Sequence, residues 1–298
     1  MTYARDDFET LPRTSSWITS AHAETPEDVA FLSGAALNHL HLVVGREDVP
    51  QSLLRERLAL RAAEACVAHS GRPERAGELR DAVHLSRPGD LPGPAGETYL
   101  SWRRALERPV SVKALHRAIP GIDPMQIAEW LDWCDQSGAG QGAPVTRAAT
   151  VLEKVLSDTP RGETAALILA DAALAQALGW DHLLPLLATG MKCADQRKRG
   201  DELRLACHRA VIASSIEAVR RAADLSRRVA RLAAVAPKLR AKGSEQAVEL
   251  FLTRDAAAPS ALTSLNSDRA ARRFCDRLVE LGAVRELTGR DTFRLYGV

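Results

Sequence analysis

Apolar residues recur along this chain at the three-and-four spacing of helices that pack by one face. Thr25-Pro26-Glu27-Asp28 reads as a helix start, with a capping hydroxyl, a proline in the first turn and acids at the positive end of the dipole. Val29, Leu32, Ala36, Leu40 and Val43 then line one stripe until Gly45 stops it. The same period runs from Leu53 to Ala68, with an exit at Gly71, and again from Glu74 to Leu85. Residues 87–96 (RPGDLPGPAG) hold too much Pro and Gly for a regular element and read as a loop. Tyr99 and Trp102, about one turn apart, read as packing anchors. Further helices are predicted over Val112–Ala118 and over Pro124–Gln136, where Ile127, Trp130, Leu131 and Cys134 share a face, and Ser137–Ala143 (SGAGQGA) reads as a linker. Glu163–Leu178 is apolar almost all round, the pattern of a central buried helix. Asp171 inside it is expected to pair with an arginine or to face a polar edge.

A long helical pattern follows from Asp201 to Ala236, with the acid-first pairs Glu217/Arg221 and Asp224/Arg228 four residues apart. Its seam at Leu225, Val229, Leu232 and Ala236 is too brief for a coiled coil. Pro237 ends it, and Lys238–Gly243 (KLRAKG) is a basic connector. Beyond Gly243, Ser244 is expected to cap a helix Glu245–Thr253, Ser260–Leu265 to supply a short second helix, and Ser267-Asp268 to start a third that runs to Leu281. On that third helix Ala271, Phe274, Cys275, Leu278 and Leu281 form one stripe, while Arg269, Arg272, Arg273 and Arg277 point elsewhere. Gly282 stops it. Val284–Leu287 and Thr292–Tyr296 then read as two strands around a turn Thr288–Asp291. No strand of weight precedes residue 280, so the expected fold is all-α: a multi-helix body over 1–236 and a small C-terminal winged helix-turn-helix over 243–298, with one β-hairpin.

Composition narrows the function. The chain has 298 residues and is 46% hydrophobic, ample for a buried core. Five cysteines at unrelated spacings, with no CxxC, argue for reduced thiols in a cytoplasmic setting and against a disulfide framework. The N-terminal residues lack the apolar core of a signal peptide, and no apolar run is long enough to span a bilayer. Residues 1–200 carry 22 Lys/Arg against 26 Asp/Glu, whereas residues 201–298 carry 18 against 12. A polyanion, if one is bound, is expected to meet the C-terminal third.

Catalytic and metal motifs are absent from the sequence. The 87–96 loop matches no phosphate-cradling pattern, no nucleophile elbow occurs, and Cys134 and Cys275 fall on apolar faces where thiols are inert. Cys193 with Cys207-His208, and His39 with His41, lack the spacing to share one ion. No enzyme, cofactor or metal is therefore expected.

The stretches APKLRAKG and SDRAARRFCDRLVELGAVRELTGRDTFRLYGV resemble a rhizobial and alphaproteobacterial family known as domain of unknown function fourteen-oh-three. The segments RLALRAAEACV, LRDAVHLSRPGDLPGPAG and ADAALAQALGWDHLLPLLA are similar to the same family, so the resemblance covers nearly the whole chain. It implies no activity and no catalytic residue. RELTGRDTFRLYGV is also similar to the ending of helix-turn-helix proteins of the same bacteria, which close in an E-[ML]-T-G-R hairpin. That likeness implies a replicon-associated DNA-binding role. The combined expectation is a regulator or maintenance factor, with a homodimer or a protein partner through the helical body, that contacts DNA through Arg269, Arg272, Arg273 and Arg277 on the third helix and Arg290 and Arg294 on the wing. The competing expectation is a scaffold whose winged helix docks another protein.

Overall fold

The computed structural model of the chain describes residues 11–20, 25–86, 89–136 and 143–298. The expected linker at 137–142 and the Cys134 side chain lie outside the described residues. Thirteen α-helices are present among those described, with a single antiparallel hairpin at the C-terminal end. They are α1 Ser16–Ser20, α2 Pro26–Val44, α3 Gln51–His69, α4 Ala76–His84, α5 Gly93–Glu107, α6 Val112–Ala118, α7 Pro124–Gln136, α8 Pro144–Asp158, α9 Glu163–Ala177, α10 Leu186–Gly190, α11 Gly200–Val235, α12 Ser244–Thr253 and α13 Asp268–Glu280. The fold is all-α with one β-hairpin.

Cα packing divides the chain into two compact units. One comprises His22–Leu37 and Arg55–Ser215, the other Met1–Ala21, Asn38–Leu54 and Ile216–Val298. The boundary falls within α2, α3 and α11.

In the first unit α9 is the axis of the core, with every residue from Ala166 to Ala175 buried and α8 packed along its length. An all-apolar helix has no other place to go, since any face turned to water would leave its leucines exposed. Tyr99 and Trp102 are both fully buried, and the Trp102 indole donates to Cys66 Sγ at 3.4 Å. The Arg103 guanidinium makes a forked pair with Glu56 at 3.1 Å. Gly190 ends α10 so close to α11 that a Cβ there would lie 2.2 Å from the Ala210 carbonyl oxygen, which requires glycine.

Several elements differ from expectation, each for a local reason. Helix α5 begins at Gly93, within the predicted loop, because Pro94 in its first turn has no amide hydrogen to leave unsatisfied. Helix α8 was not expected, yet Val145, Ala148, Val151, Leu152, Val155 and Leu156 give it a helical stripe that is wholly buried. Asp171 has no arginine partner in its cap: its carboxyl oxygens accept the backbone N–H of Leu187 at 2.8 Å and of Ala188 at 3.3 Å, closing the start of α10.

In the second unit, the N-cap of α12 is Gly243 at φ +85, and Ser244 lies inside the helix with its hydroxyl donating to the Leu239 carbonyl at 3.2 Å. Ser267 does cap α13, accepting from the Ala270 N–H at 3.2 Å. The expected short helix at 260–265 is instead a 3-10 turn over Pro259–Ala261 followed by a bend, with i to i+3 bonds from Leu262 to Pro259 and from Leu265 to Leu262. Six residues behind a proline are too few to nucleate an α-helix. The strands shorten to β1 Arg285–Glu286 and β2 Tyr296–Gly297, paired Arg285 to Gly297 and Glu286 to Tyr296. Ala257, before the 3-10 turn, exchanges two 2.9 Å backbone bonds with Tyr296 on the other edge of β2.

Candidate nucleic-acid interface

Helix α13 is built by one apolar stripe. Ala271, Phe274, Cys275 and Leu278 are buried, which turns every charged residue of the helix outward. It ends in a Schellman closure, with Gly282 at φ +66, the Gly282 N–H donating to Val279 and the Ala283 N–H to Leu278. Arg269, Arg272 and Arg273 are all exposed, and none forms an ion pair among the described residues. Arg277, one turn further on, is also exposed but pairs with Glu280 at 2.9 Å. The first half of the helix therefore presents three arginines beside Asp268, and the second half presents Arg277 between Asp276 and Glu280.

The hairpin turn is organised by a carboxylate. Glu286 accepts from the Thr288 hydroxyl, from the Thr288 N–H at 2.7 Å and from the Gly289 N–H at 2.8 Å. Desolvation pushes its pKa up, but those donors outweigh it and hold the group below the ordinary glutamate range. Local bonding takes the place of ladder bonding here, and this is why the strands are short. Arg290 stands exposed at the tip. Arg294 is engaged inside the hairpin: its Nε donates to the Arg290 carbonyl at 2.8 Å, and its guanidinium reaches Asp291 at 3.7 Å. Phe293 is 73% exposed in the left-handed region at φ 55, which bulky side chains disfavour.

Charge within the C-terminal third is distributed unevenly. Residues 244–298 hold eight Lys/Arg and eight Asp/Glu, so the helix-and-hairpin segment is neutral, whereas residues 216–243 hold eight against two. Arg220, Arg231, Lys238, Arg240 and Lys242 were not expected as site residues, although counting charge by segment finds them. All five are exposed without an ion pair among the described residues.

Other candidates offer less. Asp171 is fully buried, and burial pushes its carboxyl up to about 8 against the pull of the backbone donors at Leu187, Ala188 and Leu186. It faces backbone and holds α10 in place. Cys66, Cys207 and Cys275 are buried and pushed up to about 12, mainly by desolvation, so they are inert thiols. Cys193 is exposed. His208 Nδ1 lies 2.6 Å from Ser33 Oγ, and burial lowers its pKa. Among the described residues no three His, Cys, Asp or Glu side chains gather as metal ligands, and no helix is long and apolar enough to cross a membrane.

Fold and surface thus define an all-α protein with a C-terminal helix-and-hairpin segment whose helix α13 exposes unpaired arginines. The family model described as "Protein of unknown function (DUF1403)" matches residues 2–298, so the chain belongs to that family. No curated protein matches it.

Proposed function

We propose that residues 243–298 form a winged helix and that this protein is a DNA-binding protein, a regulator or replicon-maintenance factor, rather than an enzyme. The observation that carries the reading is the triplet Arg269, Arg272 and Arg273, exposed and unpaired on the first two turns of a helix whose opposite face is buried. N-terminal residues of a recognition helix are those that reach base edges, and arginine is suited to the paired acceptors of guanine. The order of elements also supports it: helix, Ala257 bridge, 3-10 turn, helix, hairpin, with Ala257 forming a single-residue bridge to the outer edge of β2. Arg277 is a weaker contact because Glu280 holds it, and Arg294 serves the hairpin's own structure; Arg290, exposed at the hairpin tip, is the wing residue placed nearest a phosphate.

Selection of bound sequences from a random duplex pool tests this. The native chain is expected to enrich a defined site, and R269A/R272A/R273A to lose the enrichment at a cost of roughly 1–3 kcal/mol per lost base contact. A native chain that retains no duplex at 50 mM salt, or a triple variant with unchanged site preference, refutes it. The protein-docking alternative draws on the neutral charge of 244–298 and on exposed Val279 and Phe293, and it predicts partner binding indifferent to the three arginines.

A further inference from the structure

We propose that the second half of α11 and the connector after it form a phosphate-binding rail, and that this rail supplies most of the electrostatic attraction for duplex DNA. The proposal rests on the DNA-binding reading and assigns its affinity to residues outside the helix-and-hairpin segment. A segment with eight cations and eight anions gains little from a polyanion as a whole, whereas residues 216–243 carry a six-charge excess.

The cations are placed for the task. Arg220, Arg227 and Arg231 are spaced seven and four residues apart, so they fall within about 40° of one another around the helix and span roughly 16 Å of it. Duplex DNA presents one charge per about 1.7 Å of axis, so a straight row of this length runs beside several phosphates. Asp224 lies in the row but is claimed by Arg228 at 2.7 Å, with Arg227 reaching it only at 3.4 Å. The buried side of the same stretch is Ala218, Val219, Ala222, Leu225 and Leu232, so the row faces away from the core.

The connector continues the row on an ordered turn. Leu239 N–H donates to Ala236 and Ser244 N–H to Ala241, both at 3.0 Å, and the Ser264 hydroxyl donates to the Gly243 carbonyl at 2.8 Å. Lys238, Arg240 and Lys242 are thus exposed on backbone already fixed, which reduces the ordering cost of binding. The rail meets the segments that flank α13 at two points. Gly243 touches Ser264, three residues before the α13 cap, and the Arg231 guanidinium stands beside Gly282, where an added Cβ would lie 3.7 Å from it. No large apolar side chain among those exposed falls within 216–243, so the rail lacks the inserted residues of a membrane-surface helix.

The test measures binding of the full chain to a labelled 30-base-pair duplex by fluorescence polarisation between 50 and 300 mM KCl. Each lost phosphate contact lowers the slope of log affinity against log salt by about 0.9. K238Q/R240Q/K242Q is expected to reduce the slope by about 2.7, and R220Q/R231Q by about 1.8, with the ranking of duplex sequences unchanged. The two variants alter separate elements, so a folding failure in one leaves the other to decide. Native slopes in both folded variants overturn the rail while the DNA-binding reading stands. Loss of site preference in R269A/R272A/R273A with the native slope nearly retained supports both. Unchanged preference in that variant with reduced slopes in the rail variants supports the rail and removes the recognition helix. Tighter binding to phosphatidylserine vesicles than to duplex, or no duplex binding at all, overturns it.

Discussion

Asp171→Asn isolates a carboxyl whose protonation is tied to folding. Buried entirely within α9, Asp171 is pushed from an ordinary 3.8 to about 8 because no solvent reaches its charge and the two N–H donors of α10 compensate only in part. The folded value lies above the unfolded one, so the native state binds the proton more tightly. Its stabilising effect is complete below about pH 4 and is lost as pH rises toward 8, at about 1.4 kcal/mol per pH unit. Asparagine has nearly the same shape and cannot ionise. It keeps an acceptor for Leu187 but can turn an NH2 toward the Ala188 N–H, a loss of about 1–3 kcal/mol. Urea unfolding of both proteins from pH 5 to pH 8 should therefore show the native chain losing about 3 kcal/mol relative to the variant between pH 5 and 7. The two stability curves should cross near pH 5 to 6, at about the point where that loss matches the asparagine penalty. Parallel curves would refute the argument. A native chain that gains on the variant as pH rises would show that the backbone donors, and not desolvation, govern the group.

Three further outcomes follow from single positions. Gly243→Ala places a Cβ 2.1 Å from the Ser264 carbonyl oxygen at φ +85, so it should destabilise by more than about 2 kcal/mol, read as a lower urea midpoint. Ser267→Ala removes the cap that accepts from Ala270 and should cost about 1 kcal/mol in the same assay, with Ser267→Asp restoring most of it. Iodoacetamide followed by peptide mapping should label Cys193 quickly in the native chain and Cys66, Cys207 and Cys275 only after unfolding; fast labelling of Cys207 would contradict its buried position.

Long amphipathic segments were legible because their burial is set by spacing alone. Helices α2, α3, α9 and α11 fall within a few residues of the periods that predict them, and α9 is buried as its composition demands. Helix α8 carries an equally clear stripe, and its proximity to the Gly-rich 137–143 stretch masked a pattern that the residues themselves contain. What spacing cannot encode is competition between local and long-range bonds. The residues 284–296 alternate well enough for two full strands, yet the Glu286 carboxylate and Arg294 draw the intervening backbone into a closed turn. Asp171 is of the same kind: its partners are backbone groups of α10, which no side-chain pattern reveals. On the candidate interface, the outward set of arginines was readable from the wheel of α13, whereas the pairing of Arg277 and Arg294 depends on rotamers and turn geometry.

The neutrality of residues 244–298 also bears on how a helix-and-hairpin could bind a polyanion in physiological salt. At 0.15 M ionic strength the Debye length is about 8 Å, so charges further than that from the contact are largely screened. On α13, Asp276 lies three and four residues from Arg273 and Arg272, close enough to oppose them with little screening. An excess located elsewhere in the chain would be screened before it could compensate. Under the proposal the cations of 216–243 avoid that limit, because the polypeptide brings them against the segments that flank α13, with Gly243 against Ser264 and Arg231 beside Gly282. On the proposed DNA-binding reading, affinity and sequence preference are carried by different groups. On that reading the acids of α13 can be kept without forfeiting binding, and they would penalise any duplex on which the three arginines find no base acceptors.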